Sequence, residues 1–218
     1  MTDPAFDDPP RDCPLCPRLV DYRHELRGDE PDWFNAPVPA FGDASAALLV
    51  VGLAPGKSGA NRTGRPFTGD YAGDLLYPTL LAHGFARGDY GARPDDGFEL
   101  VDCRITNAVR CVPPQNKPVG REISTCRKFL VAEFAAMPRL KAILALGRIA
   151  HDSTLAALGL KASAAAFAHA AETDLEGPNG PVRLVASYHC SRYNVNTRRL
   201  TEEMFSDAVG KARAAVDA

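Results

Sequence analysis

Four of the six cysteines fall into two distant pairs, Cys13-Pro-Leu-Cys16 and then Cys111 with Cys126, the second pair separated by fourteen residues that include PPQNKP. Thiolates so spaced suit one tetrahedral site that fastens an N-terminal arm to the body of the protein, because ligation supplies folding free energy a short arm lacks. Zinc and a [4Fe-4S] cluster both accept four thiolates, and spacing alone does not separate them. Cys103, inside an apolar run, and Cys190, after a histidine, read as small buried apolar residues instead.

Two loops carry the remaining chemistry. Residues 52–70, GLAPGKSGANRTGRPFTGD, begin like a Walker A phosphate loop, but only three residues separate Gly52 from the Gly56-Lys57 pair. That leaves the backbone one residue short of the G-x-x-x-x-G-K pattern that wraps phosphates. The loop does supply close backbone approach at Gly52 and Gly56, a rigid turn at Pro55, the cations Arg62 and Arg65, the aromatic Phe67 and the carboxylate Asp70. This set suits a flat polar ring better than a phosphate chain. Residues 187–201, SYHCSRYNVNTRRLT, pack His189, Ser191, Arg192, Tyr193, Asn194, Arg198 and Arg199 into one turn. An enzyme that extrudes a base needs a donor facing it, cations for phosphates and a side chain to fill the gap in the stack. His189, then Arg192 with Arg198 and Arg199, then Tyr193 or Val195 answer those needs in turn, and Arg62 and Arg65 of the first loop, with Ser191 and Asn194, are expected to contact DNA beside them. The plainer reading is a solvated helix start, with Thr197 or Thr201 as N-cap.

The elements that must hold these loops follow from periodicity. Residues 46–52 (AALLVVG) form a continuous apolar run, the mark of a strand covered on both faces. Strands are also predicted in the first half of 100–112, at 142–146 and at 182–187, and helices over 74–83, 124–137, 148–158 and 200–216. Pro78 reads as part of the first turn of its helix. Strands alternating with helices imply an α/β fold, a mainly four-stranded parallel sheet with helices on both faces. Ligands in such sheets bind beyond the carboxyl ends of the strands, where residues 53–70, 107–111 and 189–199 fall.

Bulk properties set limits. With 218 residues and a formal charge of -2, the chain suits one domain, expected over 13–218 behind a flexible acidic tail, 1–12, and its overall charge points to no polyanion. No run approaches the roughly 18–20 apolar residues of a membrane span, and the N-terminus is unlike a secretory signal, so a cytoplasmic protein is expected.

Taken together, Gly52-Leu53-Ala54-Pro55-Gly56, the run 61–70 (NRTGRPFTGD), the run 105–111 (ITNAVRC) and His189-Cys-Ser-x-x-Asn194-x-x-Thr197 resemble the uracil-DNA glycosylase superfamily, specifically its family 5 or type B branch. The resemblance covers nearly the whole chain from Cys13 onward. It implies an α/β/α sandwich, a [4Fe-4S] cluster on Cys13, Cys16, Cys111 and Cys126, and, on a monomer, excision of uracil and other deaminated bases such as hypoxanthine and xanthine from DNA. By that similarity His189 donates to the base, Asn107 reads its polar edge, Phe67 stacks on the flipped ring, and residues 52–56 line the pocket. Sister branches place an acidic or amide side chain near Leu53 or Ala54 to handle water. Both positions are apolar here, which leaves Asp70 for that task. Two departures stand out: Cys190 where Pro is usual, and Arg198 where Gly is common. A nucleotide hydrolase and a zinc-stapled, non-catalytic nucleic-acid-binding module are the alternatives.

Overall fold

The computed structural model describes residues 8–218, so residues 1–7 of the expected tail lie outside the described residues. Residues 8 and 12 lie against the protein body: Arg110 donates to Asp8 at 3.0 Å and Arg27 to Asp12 at 2.6 Å. Helix α1 (Pro17–Asp29) starts at Pro17, which lacks only an N–H that no first-turn partner would accept, with Cys16 as its cap residue. Strand β1 (Leu48–Gly52) is buried throughout, as its unbroken apolar run requires. The short α2 (Ala60–Thr63) and then α3 (Tyr71–Ala82) follow. Next come a two-residue hairpin, β2 (Ala86–Arg87) with β3 (Glu99–Leu100), and strand β4 (Cys103–Asn107). The chain continues through α4 (Gly120–Ala135), β5 (Ala142–Leu146), α5 (Arg148–Ala157), β6 (Glu172–Gly177) and β7 (Gly180–Ser187). It closes with α6 (Arg192–Asn196) and α7 (Glu202–Asp217).

The main sheet has the order β4-β1-β5-β7-β6. The first four strands are parallel, as expected, and β6 adds an antiparallel edge. One face packs on α3 and α7 through Leu76, Leu80, Phe205 and Val209; the other packs on α4 and α5 through Leu130, Phe134 and Leu155. Each such leucine, fully removed from water, stabilises by about 1.5–3 kcal/mol. The result is the three-layer α/β/α sandwich. Behind the sheet edge, Glu133 of α4 holds Arg104 and Arg110 of the β4 segment at 2.8 and 2.6 Å, all three buried. No helix among the described residues is long and apolar enough to cross a membrane.

Two helices start ahead of expectation, and α4 does so at Gly120, four residues before 124. Helix α3 begins at Tyr71, so Pro78 sits in its interior, not its first turn. The cause is local: the Asp70 side chain accepts the Ala72 N–H at 3.1 Å and starts the helix before the leucine pattern shows it. Thr201, one of the two expected caps, caps α7 by accepting the Met204 N–H; Thr197 closes α6 instead.

Candidate active site

Three strand ends deliver the site. Register pairs Gly52 with Asn107 across β1 and β4, and β7 runs out at Ser187, two residues before His189. Beside them lies a cavity of about 260 Å³ lined by residues 53–56, Phe67, Asp70, Asn107, Asn116, His189, Ser191 and Arg192, with Ala60, Tyr71 and Ala72. Gly52 is what lets the walls converge, since a Cβ there would collide with Asn107 Oδ1 and with the Phe67 ring. Gly56 and Gly59 leave room for Asp70 Oδ2 in the same way. Lys57, the lysine of the near-Walker sequence, is exposed and lies outside the cavity.

Phe67 is held in an unusual conformation. Its φ of 52° is rare for an aromatic residue. Tyr77 donates its hydroxyl to the Pro66 carbonyl at 2.5 Å, and Tyr90 donates to the Phe67 carbonyl at 3.3 Å. The Phe67 ring then faces His189 at 6.1 Å between centroids, with 28° between planes. Arg65 belongs to this scaffold and not to a phosphate contact, which corrects the expectation from sequence. It is buried, with Asp96 accepting from both terminal guanidinium nitrogens at 2.8 and 2.7 Å, and its charge lies over the rings of Phe41, Tyr77 and Tyr90. The bond to Arg65 holds the Asp96 carboxyl well below the usual carboxylate range.

The polar groups of the cavity differ in how they are satisfied. Neither the His189 ring nor the Asn107 amide makes a hydrogen bond among the described residues. Burial pushes the His189 imidazole down to about 4, so it is neutral near pH 7. Asp70 uses Oδ1 as the α3 cap and keeps Oδ2 beside Gly56 and Gly59; burial raises its carboxyl above the ordinary value. Asn194 donates to the His189 carbonyl at 2.8 Å, and Ser191 caps α6. Both therefore shape the loop. Tyr193 stands 72% exposed, Arg62 is exposed, and Arg192 lies over the Tyr71 ring.

Arg198 explains one of the two departures noted in the sequence. Its φ is 56°, in the left-handed region just past the end of α6 where glycine is favoured. Asn116, missed in the sequence, reaches the cavity from the turn between Cys111 and Cys126, where Gln115 and Asn116 both have positive φ. The only prior signal was Pro-Pro followed by an Asn, a residue that tolerates that region. A second cleft of about 350 Å³ shares His189 as a wall and is lined by Gly147, Arg148, Phe167, Tyr188, Asn194 and Arg199. Arg148 and Arg199 lie over Phe167 and Tyr188, and neither makes an ion pair or hydrogen bond among the described residues.

Away from this site, Cys13, Cys16, Cys111 and Cys126 line one apolar cavity with Leu19, Val109 and Phe129. The Arg110 amide donates to Cys126 Sγ at 3.4 Å and Arg23 approaches Cys111 Sγ at 3.9 Å, contacts that suit sulfurs bearing negative charge. Burial pushes the Cys111 and Cys126 thiols up to about 12 and about 11, so ligation by either releases a proton. Among the described residues no three His, Cys, Asp or Glu side chains are grouped as ligands of one metal ion. Cys103 and Cys190 are buried in the main core, as expected of small apolar residues.

Comparison with known proteins gives this geometry a family. The sequence profile described as the uracil DNA glycosylase superfamily matches residues 39–213. A type-5 uracil-DNA glycosylase of Thermus thermophilus is 45% identical over 207 residues, 92% of each chain. Proteins of the same name from Pyrobaculum aerophilum and Mycobacterium leprae are 42% and 40% identical, covering 93% and 92% of this chain and 88% and 90% of their own. The α/β/α sandwich, the pocket at its strand ends and these matches agree: the chain belongs to the uracil-DNA glycosylase superfamily, in its type-5 branch.

Proposed function

We propose that the protein is a monofunctional DNA glycosylase of base excision repair, which hydrolyses the N-glycosidic bond of uracil flipped out of DNA. The observation that carries this reading is the convergence of His189, Asn107, Asp70 and Phe67 on one cavity in which the His189 ring and Asn107 amide have no other partner among the described residues. Cleavage builds positive charge on the sugar and negative charge on the departing base. A neutral His189 donates to a base oxygen where that negative charge grows. Asn107 pairs with the polar edge of the ring, Phe67 stacks on its face, and Asp70 Oδ2 orients the attacking water. Leu53 and Ala54 offer no polar group, and a pocket with few polar contacts rejects few analogues. Hypoxanthine and xanthine are therefore substrates as well.

DNA lies across the mouth of the cavity. Tyr193 fills the gap in the stack, and Arg62, Arg192, Arg198 and Arg199, with Arg148 of the second cleft, meet phosphates. Cys13, Cys16, Cys111 and Cys126 hold a [4Fe-4S] cluster. Their common cavity, with the Arg110 amide on Cys126 Sγ and Arg23 beside Cys111 Sγ, supports this reading. When bound, the cluster staples the α1 arm to β4 and α4. The protein acts as a monomer, in the cytoplasm.

Labelled duplexes holding uracil, hypoxanthine or only undamaged bases, incubated with the protein and then treated with alkali, test the reading. Breaks at the damaged bases alone are expected. No break on any duplex overturns it.

A further inference from the structure

We propose that His169 is a positioning residue for His189: it anchors the backbone just ahead of His189 through a hydrogen bond that only the neutral imidazole makes, so acid loosens the loop that carries the catalytic ring. The inference rests on the glycosylase reading for its effect on rate, though not for its structural part.

From the last residue of β7 onward the chain is pinned at three successive residues. The Gly147 N–H donates to the Ser187 carbonyl at 2.8 Å, the Tyr188 N–H donates to His169 Nδ1 at 3.2 Å, and Asn194 Nδ2 donates to the His189 carbonyl at 2.8 Å. Of these three anchors only His169 can change its protonation. Its other nitrogen, Nε2, lies 3.1 Å from the Met204 carbonyl. A carbonyl only accepts, so Nε2 carries the proton; an amide N–H only donates, so Nδ1 is bare. One tautomer, neutral and protonated at Nε2, satisfies both. Ser187 Oγ sits 3.5 Å from Nδ1 and donates to the Tyr188 carbonyl at 2.9 Å. The Tyr188 ring also stacks on His169, at 5.1 Å and 25°, which holds the imidazole in line with the amide.

Adding a second proton places Nδ1–H against the Tyr188 N–H. The anchor is lost and two donors face each other. The charged groups around His169 are Asp207 and Lys211 of α7, with Lys211 paired to Glu172 of β6, and Arg199 over the Tyr188 ring. Burial, ahead of the Met204 carbonyl and Asp207, which favour the cation, draws the imidazole below its ordinary value. The anchor is therefore intact near neutral pH and is lost as pH falls through that lowered value.

The test has a structural arm and a kinetic arm, both on the full-length protein as isolated. Long-range proton–nitrogen spectra of histidine-labelled protein read the tautomer, and hydrogen exchange reads the Tyr188 amide. At pH 8 a bare Nδ1 and a protected Tyr188 amide are expected, with the protection factor falling in step with His169 protonation. An Nδ1-protonated tautomer, or protection that ignores the titration, overturns the proposal. In the kinetic arm, His169→Phe keeps a stacking ring but loses the acceptor. Single-turnover excision of uracil should slow about tenfold at pH 8, the equivalent of one lost hydrogen bond, with substrate affinity little changed, and the gap should close in acid as the wild type loses its own anchor. His169→Asn retains an acceptor near the Nδ1 position that cannot be protonated. It should recover most of the rate at pH 8 and lose less of it on acidification than the wild type. A folded His169→Phe protein with the wild-type rate overturns the proposal. A wild-type protein that excises nothing fails the glycosylase reading instead, and the tautomer still decides the role of His169.

Discussion

The base pocket and the cysteine cavity lie on the same chain and solve opposite problems. In the pocket, the His189 ring and the Asn107 amide are left without partners among the described residues, and the free oxygen of Asp70 is kept beside two glycines. Unpaired polar groups of this kind cost stability, which the surrounding scaffold must supply. The Tyr77 and Tyr90 hydroxyls and the Arg65–Asp96 pair do so around Phe67. The cysteine cavity is largely apolar, and of its four sulfurs Cys126 Sγ meets the Arg110 amide and Cys111 Sγ the Arg23 guanidinium. It joins α1 to the β4 segment and α4 and carries no group aimed at a base. On the proposed function, the pocket is built for chemistry at the expense of stability, and the cavity for stability.

Variants can break that division or sharpen it. Cys126→Ser should have the largest effect, and on folding: removal of a ligand of the proposed cluster is expected to cost several kcal/mol and lower the melting temperature by about 10 °C, with loss of visible colour. Calorimetry and an absorption spectrum check it. A variant that melts with the wild type would show that the thiols are not a staple. His189→Ala should do the reverse, slowing single-turnover excision about 10²–10³-fold while shifting the melting temperature little. Asp70→Asn separates the two duties of one residue. Asn caps helices as well as Asp does, so stability should hold while excision falls about a hundredfold. Because burial raises the Asp70 carboxyl above its ordinary value, wild-type excision should fall as pH drops through that raised value, and the variant should lack this component. The smallest effects belong to the rim. Arg148→Ala and Arg199→Ala should each weaken DNA binding and reduce the slope of log affinity against log salt by about one, with excision at saturating enzyme nearly unchanged.

Most of this arrangement was legible in the sequence because it obeys local rules. Residues 46–52 and 142–146 are apolar throughout, as central parallel strands must be, and the chemistry-bearing residues follow strand ends. Strand β6 escaped notice because its residues, ETDLEG, are polar and only half-buried at an edge, so no buried alternation marks it. Arg65 was misread because its partner, Asp96, lies 31 residues away and no local pattern joins them. Asn116 was overlooked because the segment between Cys111 and Cys126 reads as a spacer, and only the turn at Gln115 and Asn116 brings it to the pocket. Such long-range pairings and backbone outliers are set by tertiary structure, which periodicity does not encode.

The most direct test of the central claim is to incubate excess protein with a duplex holding one uracil and measure both the free base released and the integrity of the strand. Free uracil is expected in equal amount to abasic sites, with strands intact until alkali is added. Uracil retained in the duplex, or strands cut without alkali, would contradict it.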